Sequence, residues 1–564
     1  MSDRRRGLAV LLSLAVIASL SACVSIPSSG SVDQGVSINE DSSGGNVQYN
    51  PEGPVAGAKQ QDILKGFVAA FTSATNGYAV AKQYLSSDFQ SKWDPRTAVQ
   101  VRNGPARIAQ VDDTSMEYSF TASATVDPFG AYKGGSQPFT LDFSFVKERG
   151  QWRISSAPSG IVLSDQTFQR IFVPSPIYFF DADNQHLVPD LRWFPNGTAA
   201  TRVAAALLQG PPAWLTGSVF SRFPDGTQLS DGSSVVVDSG VARVDLSKEA
   251  SAATAKDRQL MQVQLSESLR SVPSISRVSL SVEGTPLQID DLGASGPQAD
   301  TKVDPQALVF RQNEFGFYAN GKVASLSGLS TKVVALNPDA ATLSSDQTVA
   351  AVLARGGVSI VRKGTTAATA TAPPIDTRPG LIPPSLDESG YVWSVPTSSP
   401  NAINVYDETG QLHQLTSPGL PADAQIVSLE ISRDGARVAI LLSTSTGPRL
   451  VVAAILRDEK QVPLSLGTPI LDVSFDGDVA VDASWADQLT VATLVISEGQ
   501  SNVQLFTVGG QRVSLDPFVP AAAIVGGNSG QDGLRALGAD HTIWTYRGSW
   551  QSSKITADFI ATQR

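Results

Sequence analysis

The sequence predicts a multidomain protein: an α+β domain first, an α/β domain next, and an all-β, propeller-like domain last. Three observations predict it. Apolar residues at helical spacing give way to alternating ones between residues 58 and 160. Strand and helix patterns then interleave over 170–290. From 303 to 564 only short strands and turns follow, and one turn pattern recurs every 43 to 52 residues. At 564 residues the chain is too long for one core; at roughly 100–200 residues per domain it holds three or four.

The composition is globular, with 41% hydrophobic and 17% charged residues. Its 47 glycines and 34 prolines supply many turns. Three histidines and three methionines leave little material for metal or acid–base chemistry. The formal charge is −11, and so acidic a chain repels phosphate backbones, which argues against a nucleic-acid partner.

Residues 1–22 read as a signal peptide. Arg4-Arg5-Arg6 precede an apolar run from Leu8 to Leu20, and Ser21 and Ala22 put small residues before Cys23. The run is about a dozen residues, whereas a spanning helix takes roughly twenty, so it is a signal and not a permanent span. Leu20-Ser21-Ala22-Cys23 resembles the lipobox of bacterial lipoproteins. That resemblance implies cleavage between Ala22 and Cys23, with acyl chains of the palmitate type attached at Cys23. One acyl chain holds a protein only marginally and two hold it stably, at ~0.8 kcal/mol per buried methylene. Cys23 is the only cysteine, so once lipidated it leaves no thiol for a disulfide and the domains depend on core burial. Cleavage takes Lys+Arg from 42 to 39 and Asp+Glu from 53 to 52, leaving the mature part near −13.

Residues 23–57, rich in Ser, Gly, Asn and Pro, read as a lipidated flexible tether spanning roughly 30 Å. The first domain follows at 58–160. Ile63, Leu64, Phe67, Val68 and Phe71 make one helical face, and a second helix is expected over 78–85. Strand-like alternation covers Glu117–Ala122 and Phe139–Val146, and Arg149-Gly150 turns into Gln151-Trp152-Arg153-Ile154. Two helices and an antiparallel sheet resemble the cone-shaped NTF2-like fold, which implies a spacer, an interaction module or a ligand pocket.

Pro174–Pro176 marks the next boundary, and a second domain is expected over 170–290. Two strands meet at an Asp/Asn turn near Asp181–Asn184, and a helix from Thr198 to Gln209 is stopped by Gly210-Pro211-Pro212. A hairpin turns at Asp238-Ser239-Gly240, a helix covers Asp257–Arg270 with Leu260, Val263 and Leu269 on one side, and a strand closes over Val278–Val282. The ordered pieces Leu207–Pro212, Phe223–Thr227, Val244–Ser247 and Gln259–Leu265 resemble a GerMN domain, an α/β module of extracytoplasmic proteins. The resemblance implies protein interaction and no known catalysis.

Residues 290–302 read as a linker. Beyond them, Phe315–Leu326 is a hairpin signal around Asn320-Gly321. The recurring turns are Leu343–Asp346, Asp387–Gly390, Ser432–Gly435 and Ser484–Asp487, each followed by a Val/Ala-rich strand. A four-stranded blade takes ~40–50 residues, and sheets with two apolar faces close naturally into a ring, so 303–564 is expected to form five or six blades. A β-sandwich is the second choice.

The search for chemistry yields decoys. Gly316–Lys322 matches most of a phosphate-binding loop, but Val323 stands where Ser or Thr should hold magnesium, and a hairpin replaces the required helix. Asp181-Ala182-Asp183 lacks the glycine and distal glutamate of a calcium loop. His186, His413 and His541 are far apart and begin no zinc helix, and no Gly-x-Ser-x-Gly elbow exists. A carboxylate pair drawn from distant blades stays open. The expectation is a protein that is not an enzyme, with no cofactor and no metal site.

Lipobox, N-terminal domain, GerMN domain and propeller, in this order, resemble the LpqB family of actinobacterial lipoproteins. The resemblance implies a protein anchored on the extracytoplasmic face of the cell membrane, accessory to a two-component system. Its implied partner is the extracellular domain of the sensor histidine kinase MtrB, with effects on envelope homeostasis and division. The alternative is a propeller that binds or cleaves cell-wall glycan.

Overall fold

The computed structural model describes residues 51–564 except 231, 233, 294–295, 365–372 and 417–418. Ala22, Cys23 and most of the expected tether lie outside the described residues.

In the first domain Ile63, Leu64, Phe67 and Phe71 are buried along the helix Gln60–Ala69 and the tighter turn Ala70–Thr72, on the face the spacing predicts. Phe67 centres an aromatic cluster, with ring centroids 4.8 Å from Phe71 and 5.1 Å from Trp93. The helix expected over 78–85 is a single turn, Ala79–Lys82. Gly77 and Tyr78 both adopt positive φ just before it, and Leu85 leaves to bridge Ile154. The sheet is β1 (Val99–Gln110), β2 (Ser115–Val126), β3 (Tyr132–Glu148), β4 (Gln151–Ser156) and β5 (Ile161–Ser164). Its order is β4-β3-β2-β1-β5, with β5 parallel to β1. Beyond the boundary expected at 160, Ile161, Val162, Leu163 and Phe168 of the helix Asp165–Ile171 pack into this same core.

The second domain opens with the antiparallel ribbon β6 (Phe172–Phe180) and β7 (Leu187–Pro195). After the helix Ala199–Leu208 come β8 (Val236–Asp238), β9 (Val241–Leu246), β10 (Arg277–Val282) and β11 (Thr285–Pro286) in a sheet ordered β11-β10-β9-β8. β9 and β10 run parallel, which requires a crossover, and the helix Ala255–Leu269 supplies it. Thr254 and Asp257 cap that helix reciprocally. Its buried face is wider than the apolar pattern suggests. Gln264 and Ser268 are sealed in beside Leu260, Met261, Leu265 and Leu269, because each bonds the ribbon: Ser268 Oγ accepts from Tyr178 N at 3.0 Å, and Gln264 Nε2 donates to Tyr178 O at 2.9 Å.

The described residues of the third domain form six blades. Blade I is Ala307–Arg311, Glu314–Ala319 and Lys322–Ser325, completed by Phe559–Ile560; blade II is Pro338–Leu343, Val349–Ala354 and Gly357–Arg362, joined by Thr562–Gln563. Blades III to VI follow in sequence over 385–414, 425–474, 479–514 and 521–556. The first strands of blades II to VI contact one another in succession, and Phe559–Ile560 of blade I contacts the first strands of blades VI and II, which closes the ring. The recurring turn lies between first and second strands, and its chemistry explains its recurrence. Ser432 Oγ donates to Asp434 Oδ1 at 2.6 Å and accepts from Arg437 N at 3.1 Å, so the turn starts the next strand. Asp487 does the same for Leu489 N and Thr490 N, each at 2.8 Å.

The domains are not strung loosely. Of the expected linker, Gln298 joins the ribbon turn, its N donating to Gln185 O and its O accepting from Leu187 N, both at 2.8 Å. Blades IV and V share one apolar cluster with the second domain, in which Val203, Leu265 and Trp214 meet Leu450, Val452 and Trp485. Gln488 Nε2 donates to Tyr178 Oη at 3.0 Å across that joint.

Candidate interaction cleft

A cleft of about 400 Å³ opens where all three domains meet. Each domain contributes an element whose shape is fixed locally. The first supplies the β2–β3 turn, residues 127–131. Asp127 Oδ1 accepts from Phe129 N and Ala131 N, each at 2.8 Å, which folds the turn back on itself. Gly130 has φ +84, and a Cβ there would meet the Phe194 ring at 2.6 Å, so only glycine lets the turn lie on β7. Trp193 N donates to Gly130 O at 2.8 Å.

The second domain supplies β7 and the stop after Ala199–Leu208. Gly210 ends that helix at φ +84, and Pro211-Pro212 carry the chain to Trp214. The Trp214 indole N–H donates to Asp190 Oδ1 at 3.1 Å, and Arg192 Nε bonds Asp190 Oδ2. Burial pushes the Asp190 carboxyl above its usual range; Arg192 and Trp214 pull it down and recover only part of the shift. Arg192 Nη1 also donates to Phe129 O at 3.3 Å. The third domain supplies the outer turn of blade V, whose Gly509 O accepts from Trp193 Nε1 at 2.9 Å.

Leu191, Trp214 and Val508 are buried at the bottom of the cleft, Tyr132, Pro211, Pro212 and Ile470 are half-buried, and Asp127, Phe129 and Gln209 are exposed at the rim. Burial pushes the Tyr132 hydroxyl up to about 12, with Asp165 adding to it and a hydrogen bond from Gln511 opposing. Among the cleft residues no nucleophile stands beside a base.

The other residues singled out from sequence are scattered. His186 pairs with Asp181 at 3.1 Å, His413 with Asp407 at 3.3 Å, and His541 Nδ1 lies 3.2 Å from Ala557 O. Asp181 serves a turn, its Oδ1 accepting from Gln185 N at 2.8 Å and His186 N at 3.1 Å. Gly316–Lys322 is the expected hairpin; a Cβ on Gly316 would sit 2.1 Å from Ala324 O, so the glycine serves strand approach. In the first domain the pocket among Phe67, Phe71, Tyr118 and Phe143 measures about 10 Å³, room for a single water at most. The lipidation residues Ala22 and Cys23 lie outside the described residues.

Reading the sequence missed the cleft. Its only local signals are the Asp-Pro-Phe-Gly turn at 127–130 and the Gly-Pro-Pro at 210–212, which reads simply as a helix stop.

Comparison with known proteins finds three matching family models. One described as Lipoprotein LpqB, N-terminal domain, covers residues 53–169. One described as Sporulation and spore germination covers 176–288, and one described as Lipoprotein LpqB beta-propeller domain covers 316–552. Lipoprotein LpqB of Cutibacterium acnes is 31% identical over 247 residues, which are 43% of this chain and 42% of that one. Lipoprotein LpqB of Thermobifida fusca is 25% identical over 508 residues, 78% of this chain and 80% of that one. Among solved structures, TolB from Acinetobacter baumannii aligns over 85% of each chain at 11% identity, with a TM-score of 0.31.

Proposed function

The chain belongs to the LpqB family of lipoproteins, and from that premise we propose that it is an accessory protein of a two-component system, held on the outer face of the cell membrane. Cys23, after cleavage from Ala22, carries the acyl chains. No helix of the described residues is long and apolar enough to cross a membrane. The partner is the extracellular domain of an MtrB-like sensor histidine kinase, whose output the lipoprotein adjusts. Envelope homeostasis and division are the processes affected.

One observation supports this above the others: all three folded modules build one cleft, with an apolar floor open to solvent. Confinement to a membrane raises the effective concentration of a tethered partner toward millimolar, so a weak affinity is enough. The test titrates the full-length lipoprotein in vesicles with the purified extracellular domain of the kinase, then follows autophosphorylation of the full-length kinase with and without the lipoprotein. Saturable binding with a changed phosphorylation rate is expected. No binding up to millimolar concentration, with unchanged phosphorylation, overturns the proposal and favours a glycan-binding role.

A further inference from the structure

The three-domain cleft has a property that narrows its occupant: the buried carboxylate at its floor is already spent. Both Asp190 oxygens are taken, one by Trp214 Nε1 and one by Arg192 Nε. Arg192 also bonds Phe129 O, and Asp127 Oδ1 serves two backbone amides. A sugar is held by a dense set of hydrogen bonds from groups free to make them, and displacing these would leave Asp190 buried and unpaired. A volume of about 400 Å³ falls within the roughly 300–1,000 Å³ of ligand sites, and what the floor offers is apolar surface.

The rim adds a second, independent observation. Phe129 is 48% exposed, yet the turn that carries it is tied down by hydrogen bonds on several sides. Asp127 ties it from within, Arg192 holds Phe129 O, and Arg202 Nη2 donates to Pro128 O at 2.5 Å. A large apolar ring held out in water, at no further cost in conformational freedom, is a preorganised contact for another surface. Asp127 and Gln209 share the rim with it, so the cleft has the apolar floor and polar rim of a protein interface.

We propose that this cleft is the docking site for an apolar side chain of a protein partner, with Phe129 as the lipoprotein's own anchor at its edge and Asp127 facing a basic residue of the partner. The proposal rests on the sensor-kinase reading above, which supplies the partner. Because the floor draws on all three domains, such a partner would contact all three at once.

The test exploits the single cysteine. With Cys23 lipidated, Gln209→Cys offers one free thiol at the cleft mouth, and Leu412→Cys, 49% exposed on blade III, offers a control. Each full-length variant, in vesicles, takes an environment-sensitive dye and is titrated with the kinase extracellular domain; the wild-type chain measures any labelling at Cys23. The Gln209→Cys dye should shift on saturation and the control stay silent. Phe129→Ala and Ala213→Trp, which empties the rim and fills the mouth respectively, should weaken binding roughly tenfold or more with unchanged melting temperatures. Wild-type binding with unaltered affinity in both variants and a silent Gln209→Cys dye overturns this site and leaves the kinase reading standing. No wild-type binding overturns both. A dye response to vesicle lipid or cell-wall material alone assigns the cleft to an acyl chain or a glycan, and also overturns the proposal.

Discussion

Arg437→Met is the sharpest probe of how the blade turns hold the propeller. Arg437 starts the second strand of blade IV and is fully buried. Its Nη2 bonds Asp434 and donates to Gln488 O at 2.7 Å, and its guanidinium lies 5.0 Å from the Trp485 ring centroid. Breaking a buried ion pair by removing one partner costs about 3–5 kcal/mol, because the remaining charge is left in a poor solvent. Asp434 keeps the Ser432 hydroxyl at 2.6 Å and Ala436 N at 3.0 Å, which argues for the lower end. At ~2–4 °C per kcal/mol for a domain of this size, the loss is roughly 10 °C in melting temperature. Circular dichroism on the variant, alongside Asp434→Asn and the double variant, completes a cycle; the double should recover part of the loss, since no uncompensated charge remains. Burial pushes the Asp434 carboxyl up, but Arg437 and its hydrogen bonds outweigh burial and hold it below its usual value. Its contribution is therefore present above the unfolded carboxylate range, near pH ~4, and lost as pH falls through the folded value. An Arg437→Met variant melting with the wild type, or a double variant as damaged as the single, refutes the reasoning.

Other outcomes follow from single features. Cys23→Ala should abolish fatty-acid labelling and release the protein from the membrane fraction or leave its precursor uncut; unchanged labelling would end the lipoprotein assignment of this residue. Gly357→Ala should cost roughly 1–3 kcal/mol in a denaturant titration, since a Cβ at φ +118 would sit 1.9 Å from Asp376 O; a neutral result means the backbones can part freely. His186 lies at the joint between the second domain and the blade turns: burial lowers its pKa, but Asp181, Glu388 and Asp434 outweigh burial and raise it. Its stabilising charge is fully present below the unfolded value near ~6.5 and lost as pH rises through the higher folded value, so melting temperature should fall on that rise and His186→Asn should flatten the slope.

What was legible in sequence was what repeats or alternates locally. Ile63, Leu64, Phe67 and Phe71 announce their burial by spacing alone, and the aspartate-bearing blade turns recur because each must start a strand at the same place in a blade. Polar residues that become structural are harder to read. Gln264 and Ser268 look like the solvent side of a helix until the Tyr178 backbone arrives to bond them. The cleft was invisible for a related reason. Its Asp127, Asp190 and Val508 come from three domains, and nothing near any one of them in sequence says that the others will be there. The linker over 290–302 reads as loose from its Gly, Ser and Pro, while its hold on β7 comes from backbone bonds that no side chain announces.

The ring itself gives the most demanding test, because its closure depends on the segment 559–564. Phe559 and Ile560 pair with Phe310 and Val309, and the Phe559 and Phe310 rings stack at 5.3 Å. Ala561 N donates to Leu308 O, and Arg564 N to Leu343 O, each at 2.9 Å. Thr562 and Gln563 run parallel to Thr342 and Leu343, and the Arg564 side chain is buried against Glu430 of blade IV. One segment thus binds the first strands of blades I and II and reaches a third blade. Removing 559–564 strips two large apolar side chains, worth about 1.5–3 kcal/mol each by burial, and also leaves two inner strands with unpaired edges at the centre of the ring. The damage should therefore exceed that of Phe559→Ala, for which about 3–5 kcal/mol is expected, and it should differ in kind. Phe559→Ala should yield a monomer with a lowered melting temperature, whereas the truncated chain should aggregate or expose apolar surface to a hydrophobic dye at temperatures where the point variant is still folded. Chromatography, dye binding and a thermal scan on the two variants distinguish these outcomes. A truncated chain that stays monomeric and melts with Phe559→Ala would mean that the neighbouring blades hold the ring shut without this segment.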